Sequence, residues 1–147
     1  MEYNSFTSLE IESDWYQSMR SLHGTIFNSH NLDAIEEELS ARQKFLILLA
    51  VANDQAVGYK IGYQDRKLRF YSWLGGVHPD YRGRGIASEL MRRQHEWCSS
   101  QGYSLVRTQT KNTWRSMLIL NLRHGFDVVG TYTDEKGEPR IILEKRL

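Results

Sequence analysis

Hydrophobic positions follow helical spacing at the start of the chain and strand spacing after it. Trp15, Met19 and Leu22 recur every three or four residues, as do Leu32, Ile35 and Leu39, which predicts two helices within the first forty residues. Asn31 or Asp33 is placed to cap the second helix, and Glu36, Glu37 and Glu38 suit the positive end of its dipole. Phe45 to Ala52 is an unbroken apolar run ending at the turn pair Asn53-Asp54, the pattern of a strand buried on both faces. Ala56 to Tyr63 follows almost at once and alternates, so the two form a hairpin. After a turn at Asp65-Arg66-Lys67 a third strand runs from Leu68 to Val77 and contains Gly75-Gly76. Ile86, Leu90, Met91 and Trp97 mark a helix from Arg84 to Gln101, with Gly102 as its stop. A strand from Ser104 to Thr110, a helix from Thr113 to His124 stopped by Gly125, and a strand from Phe126 to Thr133 follow. Gly137-Glu138-Pro139 then turns the chain into a last strand, Ile141 to Glu144. The expected fold is α/β in the α+β sense, a mixed sheet of about six or seven strands flanked by about four helices.

The 147 residues suit one domain, expected to span 1–147, and no repeat, low-complexity tract or linker divides them. Nineteen Lys and Arg against 18 Asp and Glu leave a formal charge of +1, without the basic excess of a nucleic-acid binder. The single cysteine, Cys98, excludes an internal disulfide and a cysteine-based structural zinc site, and no metal is expected. Met1-Glu2-Tyr3-Asn4-Ser5 has neither the basic nor the apolar region of a secretory signal. The longest apolar run, Phe45 to Ala52, is too short for a bilayer. These observations predict a cytoplasmic protein with no membrane or nucleic-acid partner.

The segment richest in chemistry is Gly75-Gly76-Val77-His78-Pro79-Asp80-Tyr81-Arg82-Gly83-Arg84-Gly85-Ile86-Ala87. A strand ends in two glycines, passes a proline turn and enters a helix through Arg-Gly-Arg-Gly. Glycines let backbone amides approach a ligand closely, and the first helical turn offers unpaired N–H groups and a partial positive charge. Arg82 and Arg84 add bidentate donors. The pattern fits a pyrophosphate cradle, and equally an ordinary strand–helix turn with solvated arginines. A P-loop is excluded because Ile86-Ala87 stands where Lys-Ser/Thr is required, and a dinucleotide fingerprint because the loop follows three antiparallel-looking strands and Tyr103-Ser104-Leu105 stands where an acid is needed. Gly75-Gly76 also reads as a β-bulge or a close backbone approach.

Arg82-Gly83-Arg84-Gly85-Ile86-Ala87 resembles the Arg/Gln-x-x-Gly-x-Gly/Ala signature of the GNAT superfamily of acetyl-CoA-dependent N-acyltransferases. Asn112, Met117, Asn121 and Gly125-Phe126 resemble a second block found in one large branch of that family. The resemblance covers most of the chain and is weakest before residue 44. It implies a GNAT-like fold and acetyl-CoA as co-substrate. Amides of Gly83, Arg84, Gly85, Ile86, Ala87 and Ser88 would hold the pyrophosphate, helped by Arg82. The strands ending at Val77 and Thr110 would splay around the pantetheine arm, which would pair with main-chain groups at Gly76 and Val77. An amide freed there would polarise the thioester. Asn121 falls on an apolar helix stripe, which suits either a core amide or a contact to the cofactor, and Asn112 suits either a cofactor contact or a helix cap.

Direct attack by an amine needs a base, and often an acid for the leaving thiolate. Many relatives place a glutamate where this chain has Tyr71, and a tyrosine where it has Asn121. Tyr71 is therefore the candidate catalytic residue, as an orienter of water, with His78, His23 and His30 as alternative proton acceptors. Cys98, late in a helix beside Trp97, reads as a packed thiol. Tyr71 and Trp73 alternate onto one strand face and could wall an acceptor pocket. Arg92 and Arg93 suit the CoA 3′-phosphate or a solvated helix face. The expected activity is acetyl transfer to a small-molecule or protein amine, from a possible homodimer; the alternative is a non-catalytic acyl-CoA sensor of the same fold.

Overall fold

The computed structural model describes residues 1–28 and 32–147. Asn31 and His30, candidates for a helix cap and a proton acceptor, lie outside the described residues. The elements run β1 (Glu2–Phe6), α1 (Asp14–Phe27), α2 (Ala34–Ser40), β2 (Phe45–Ala52), β3 (Gln55–Arg66), β4 (Arg69–Val77), a 3₁₀ turn (Pro79–Tyr81), α3 (Ile86–Ser100), β5 (Leu105–Lys111), α4 (Arg115–Arg123), β6 (Asp127–Thr133) and β7 (Pro139–Arg146). The seven strands form one sheet in the order β1-β2-β3-β4-β5-β7-β6. Only β4 and β5 pair in parallel; the other neighbours are antiparallel.

Local chemistry sets most boundaries. The Ser13 side chain accepts a hydrogen bond from the Tyr16 amide at the start of α1, and Asn28 closes that helix in the left-handed region. Asp33 stands at the N-cap of α2 but caps no amide; its carboxylate instead accepts from Arg20 of α1 at 2.6 Å, tying the two helices together. Asn53 and Asp54, at φ 52° and 60°, form a two-residue turn whose twist suits the β2–β3 hairpin. β1 is an addition to the sequence pattern. None of its side chains is buried, and main-chain pairing to β2 at the sheet edge places it, so hydrophobic alternation carries no sign of it.

The sheet separates two apolar layers. On one face Tyr16, Met19 and Leu22 of α1 and Ile35 and Leu39 of α2 pack on Ile47, Tyr59, Ile61 and Tyr63. On the other, Ile86, Leu90, Met91 and Cys98 of α3 pack on Leu46, Val57, Phe70 and Val106. β2 contributes to both layers, as its unbroken apolar run predicts. Among the described residues no helix is long and apolar enough to cross a membrane.

Candidate functional site

The parallel pairing of β4 with β5 covers only Arg69–Ser72 against Leu105–Thr108 and ends in a hydrogen bond from the Thr108 hydroxyl to the Ser72 carbonyl at 2.9 Å. Beyond that point β4 continues to Val77 and β5 to Lys111 without pairing each other. The sheet therefore opens at its centre, as the splay expected from the sequence requires. On one side of the opening β4 holds on to β3, and on the other β5 holds on to β7.

The expected bulge is present but sits earlier. Gly75 and Gly76 are in register with Lys60 and Tyr59, whereas the shift falls between the Gly62–Ser72 and Ile61–Leu74 pairs, leaving Trp73 as the extra residue. Gly76 answers the other expectation, a close approach. A Cβ on Gly76 would lie 3.0 Å from the Ile26 Cδ1 of α1, so the glycine lets that helix approach β4. The bulge also resets alternation: Tyr71, Trp73 and Leu74 all pack toward the α1–α2 layer. Tyr71 and Trp73 share the Tyr63 ring, at centroid distances of 5.5 and 5.8 Å.

After Val77, the His78 imidazole accepts from the Asp80 amide at 3.1 Å and caps the 3₁₀ turn. Arg82 donates to the Val77 carbonyl through Nε at 3.1 Å, and the Arg84 guanidinium lies 4.8 Å from the Tyr81 ring centre. Gly83 and Gly85 adopt φ of 76° and 80°, and a Cβ on either would meet nothing within 4 Å. Left-handed backbone rather than crowding demands glycine here, and the space above the turn is open. Gly85 is the N-cap of α3 and has no side chain to cap the first amides, which leaves them free for an anion. Ile86 turns its side chain into the core, so only its backbone faces the turn. Ser88 in the first turn is paired through its hydroxyl with His124 Nε2 of α4 at 2.7 Å.

Asn121 is buried on α4, with its side-chain amide nitrogen lacking a partner among the described residues. Asn112 is exposed in the turn after β5 and caps nothing, because α4 begins with Trp114 at its N-cap. Arg92 bridges Glu89 and Glu96 at 2.7 and 2.6 Å, and Arg93 pairs with Glu89 at 2.8 Å. Those arginines serve the helix surface facing β1, where they line a shallow groove of about 480 Å³ with Tyr3 and Asn4. Cys98 is fully buried and burial pushes its thiol up to about 12, which makes it an inert packed group.

Two proton-transfer candidates lie on the α1 side. Partial burial raises the Tyr71 phenol, so this residue keeps its proton at neutral pH. His23 of α1 is buried, its ring nitrogen Nδ1 hydrogen-bonded to the hydroxyl of Tyr59, and burial lowers its basicity so that it is neutral. Tyr59 is the β3 partner of Gly76, which brings the imidazole next to the opening.

A model of the acetyltransferase (GNAT) family matches residues 11–118. An acetyltransferase of Pectobacterium atrosepticum is 40% identical over 57 residues, 39% of this chain; the match spans 40% of that relative's length. The fold is shared with an IAA acetyltransferase from Bacillus cereus (TM-score 0.80, 18% identity, 99% of this chain and all of that one). It is shared too with a GNAT family acetyltransferase from Elizabethkingia anophelis with acetyl-CoA bound (TM-score 0.75, 15% identity, 99% and 98% covered). With its centrally opened seven-stranded sheet and a glycine turn leading into α3, the chain belongs to the GNAT family of acetyltransferases.

Proposed function

We propose that this protein transfers an acetyl group from acetyl-CoA to a primary amine, of a small molecule or of a protein, by direct attack while both substrates are bound. The observation that carries this reading is β4 itself, which leaves β5 after Ser72 and leads into the open glycine turn of α3. The unpartnered buried amide of Asn121 and the unfilled space above Gly83 and Gly85 fit such a ligand. Bound there, acetyl-CoA supplies an activated acyl group.

The amides from Gly83 through Ser88 hold the pyrophosphate, with Arg82 and Arg84 beside it. Backbone groups of Gly76 and Val77 pair with the pantetheine arm, and Asn121 and Asn112 add polar contacts. The bulge at Trp73, rather than Gly75-Gly76, frees the amide that faces the thioester carbonyl, a contact worth about 3 kcal/mol in comparable sites. Tyr71 orients the amine or a water through its hydroxyl. With Nδ1–H donating to the Tyr59 oxygen, His23 Nε2 takes the proton the amine gives up. A homodimer through the β6 edge is part of the same proposal.

Calorimetric titration with acetyl-CoA tests the reading. Wild type is expected to bind, and Arg84→Glu combined with Gly85→Val to lose binding while keeping its fold by circular dichroism. Thiol release across an amine panel then follows. A folded wild type that binds no acetyl-CoA overturns the proposal, and binding without turnover on any amine leaves the sensor role in its place.

A further inference from the structure

β3 carries a lysine where the surrounding pattern asks for an apolar residue. Lys60 lies between Gly58 and Gly62 on the face packed by α3, is 8% exposed, and forms no ion pair among the described residues. Burying an ammonium without a counter-charge is costly, so such a lysine implies a partner that arrives with a ligand. Its β4 partner is Gly75, in the segment that has already left β5, two residues beyond the bulge at Trp73. The lysine stem runs beside Gly75: a Cβ built there would be in van der Waals contact with the Lys60 Cγ, at 3.7 Å.

The groups around the ammonium come from three elements. α3 brings Cys98 and His95, α4 brings His124, and β7 brings Lys145, whose Nζ lies 3.0 Å from His95 Nδ1. None of these is an acid that could neutralise Lys60, and burial holds Cys98 protonated. In the same layer Gln94, His95 Nε2, Thr110 and the Asn121 amide nitrogen are buried with no partner among the described residues. Thr110 belongs to the end of β5 that has parted from β4, and Asn121 to α4, so both lie on the β5 side of the opening. Polar groups left unpartnered beside the opening mark where a polar ligand chain would sit.

We infer that Lys60 is the general acid of the reaction, its ammonium donating a proton to the CoA thiolate as it leaves. This rests on the acetyl-transfer reading above. The amine nitrogen forms its bond to the acyl carbon, and the carbon–sulfur bond breaks with its electron pair going to sulfur. Sulfur takes a proton from Lys60 Nζ, the proton lost by the amine passes to His23, and solvent restores both groups. Lys60 thereby fills the role left open by Asn121, which has no acidic proton to give. Desolvation brings Lys60 down to about 8, close to an ordinary thiol, so proton transfer between them is nearly balanced.

The test needs no amine acceptor. The protein is titrated with CoA by calorimetry, and the thiol of bound CoA is then titrated through its thiolate absorbance near 240 nm, in wild type and in Lys60→Met and Lys60→Gln. Wild type is expected to ionise the bound thiol at least tenfold more readily than either variant at equal pH, each being saturated with CoA. CoA that binds wild type and the variants alike, with the same thiol titration in each, overturns the assignment of Lys60 and leaves the acetyl-transfer reading standing. A folded wild type that binds no CoA overturns that reading and this one together.

Discussion

Glycine carries two opposite meanings along this chain. At Gly83 and Gly85 a Cβ has space but the backbone is left-handed, so the cost of a side chain is conformational. At Gly62 the backbone is ordinary strand and the space is gone: a Cβ would lie 2.3 Å from Phe70 Cε2 and 2.7 Å from the Tyr71 carbonyl. Backbone cannot move aside as a flexible side chain does. Gly62→Ala is therefore expected to destabilise by about 3 kcal/mol, lowering the thermal midpoint by about 10 °C. A midpoint within 2 °C of wild type by calorimetric scan contradicts this account of the packing. Sequence reading set glycines in the turn into α3, where the backbone is left-handed, and offered a bulge or a close approach for Gly75-Gly76; the close approach holds at Gly76 and the bulge falls at Trp73. The bulge at Trp73 carries no local signal, because register is decided by how β3 and β4 both accommodate the layers above and below them.

At the scale of elements, α3 and α4 meet over an unusually polar layer. His95 is held down to about 3 by burial first, then by the charges of Lys145 and Lys60 and by His124. The unfolded chain protonates this ring below about pH 6.5, whereas the folded chain keeps it neutral down to about 3. The unfolded state thus binds more protons through that window, so stability rises with pH across it and falls on acidification. From pH 6.5 to pH 5 the loss is expected to reach about 2 kcal/mol, at about 1.4 kcal/mol per pH unit. His95→Gln should lessen the slope in denaturant titrations without abolishing it, since His23 and His124 are shifted the same way. An unchanged slope contradicts the assignment. Element spans were largely legible in the sequence: β2 matches its apolar run, and α1 to α4 match their periodic segments within a few residues. Helix contents were legible, but this polar layer was not. Lys60, Gln94 and His95 carry no sign of burial in the local pattern; it arises only when the sheet and helices close over them.

For the molecule as a whole, the two ends of the sheet are unlike. The β1 edge is flanked by the paired arginines of α3, whereas β6 exposes Val128, Val129 and Tyr132, and α4 exposes Ile119 and Leu122. An unpaired edge with exposed apolar residues favours strand-to-strand association. The proposed homodimer is expected to sediment at twice the mass of the 17.2 kDa chain, and Val129→Lys to sediment as a monomer. A monomeric wild type at micromolar concentration counts against it. The sequence by itself determined the order of strands and helices from α1 onward, the two-sided burial of β2 and the glycine–arginine entry to α3. Each of these is written in short-range periodicity, or in residue types whose backbone needs are local. Tertiary structure alone decided where β4 parts from β5, which residue bulges, that His23 meets Tyr59 beside Gly76, and that a lysine lies buried against a glycine. Those depend on pairs far apart in the chain, brought together when the sheet forms between its two helical layers, and neighbouring residues hold no record of them.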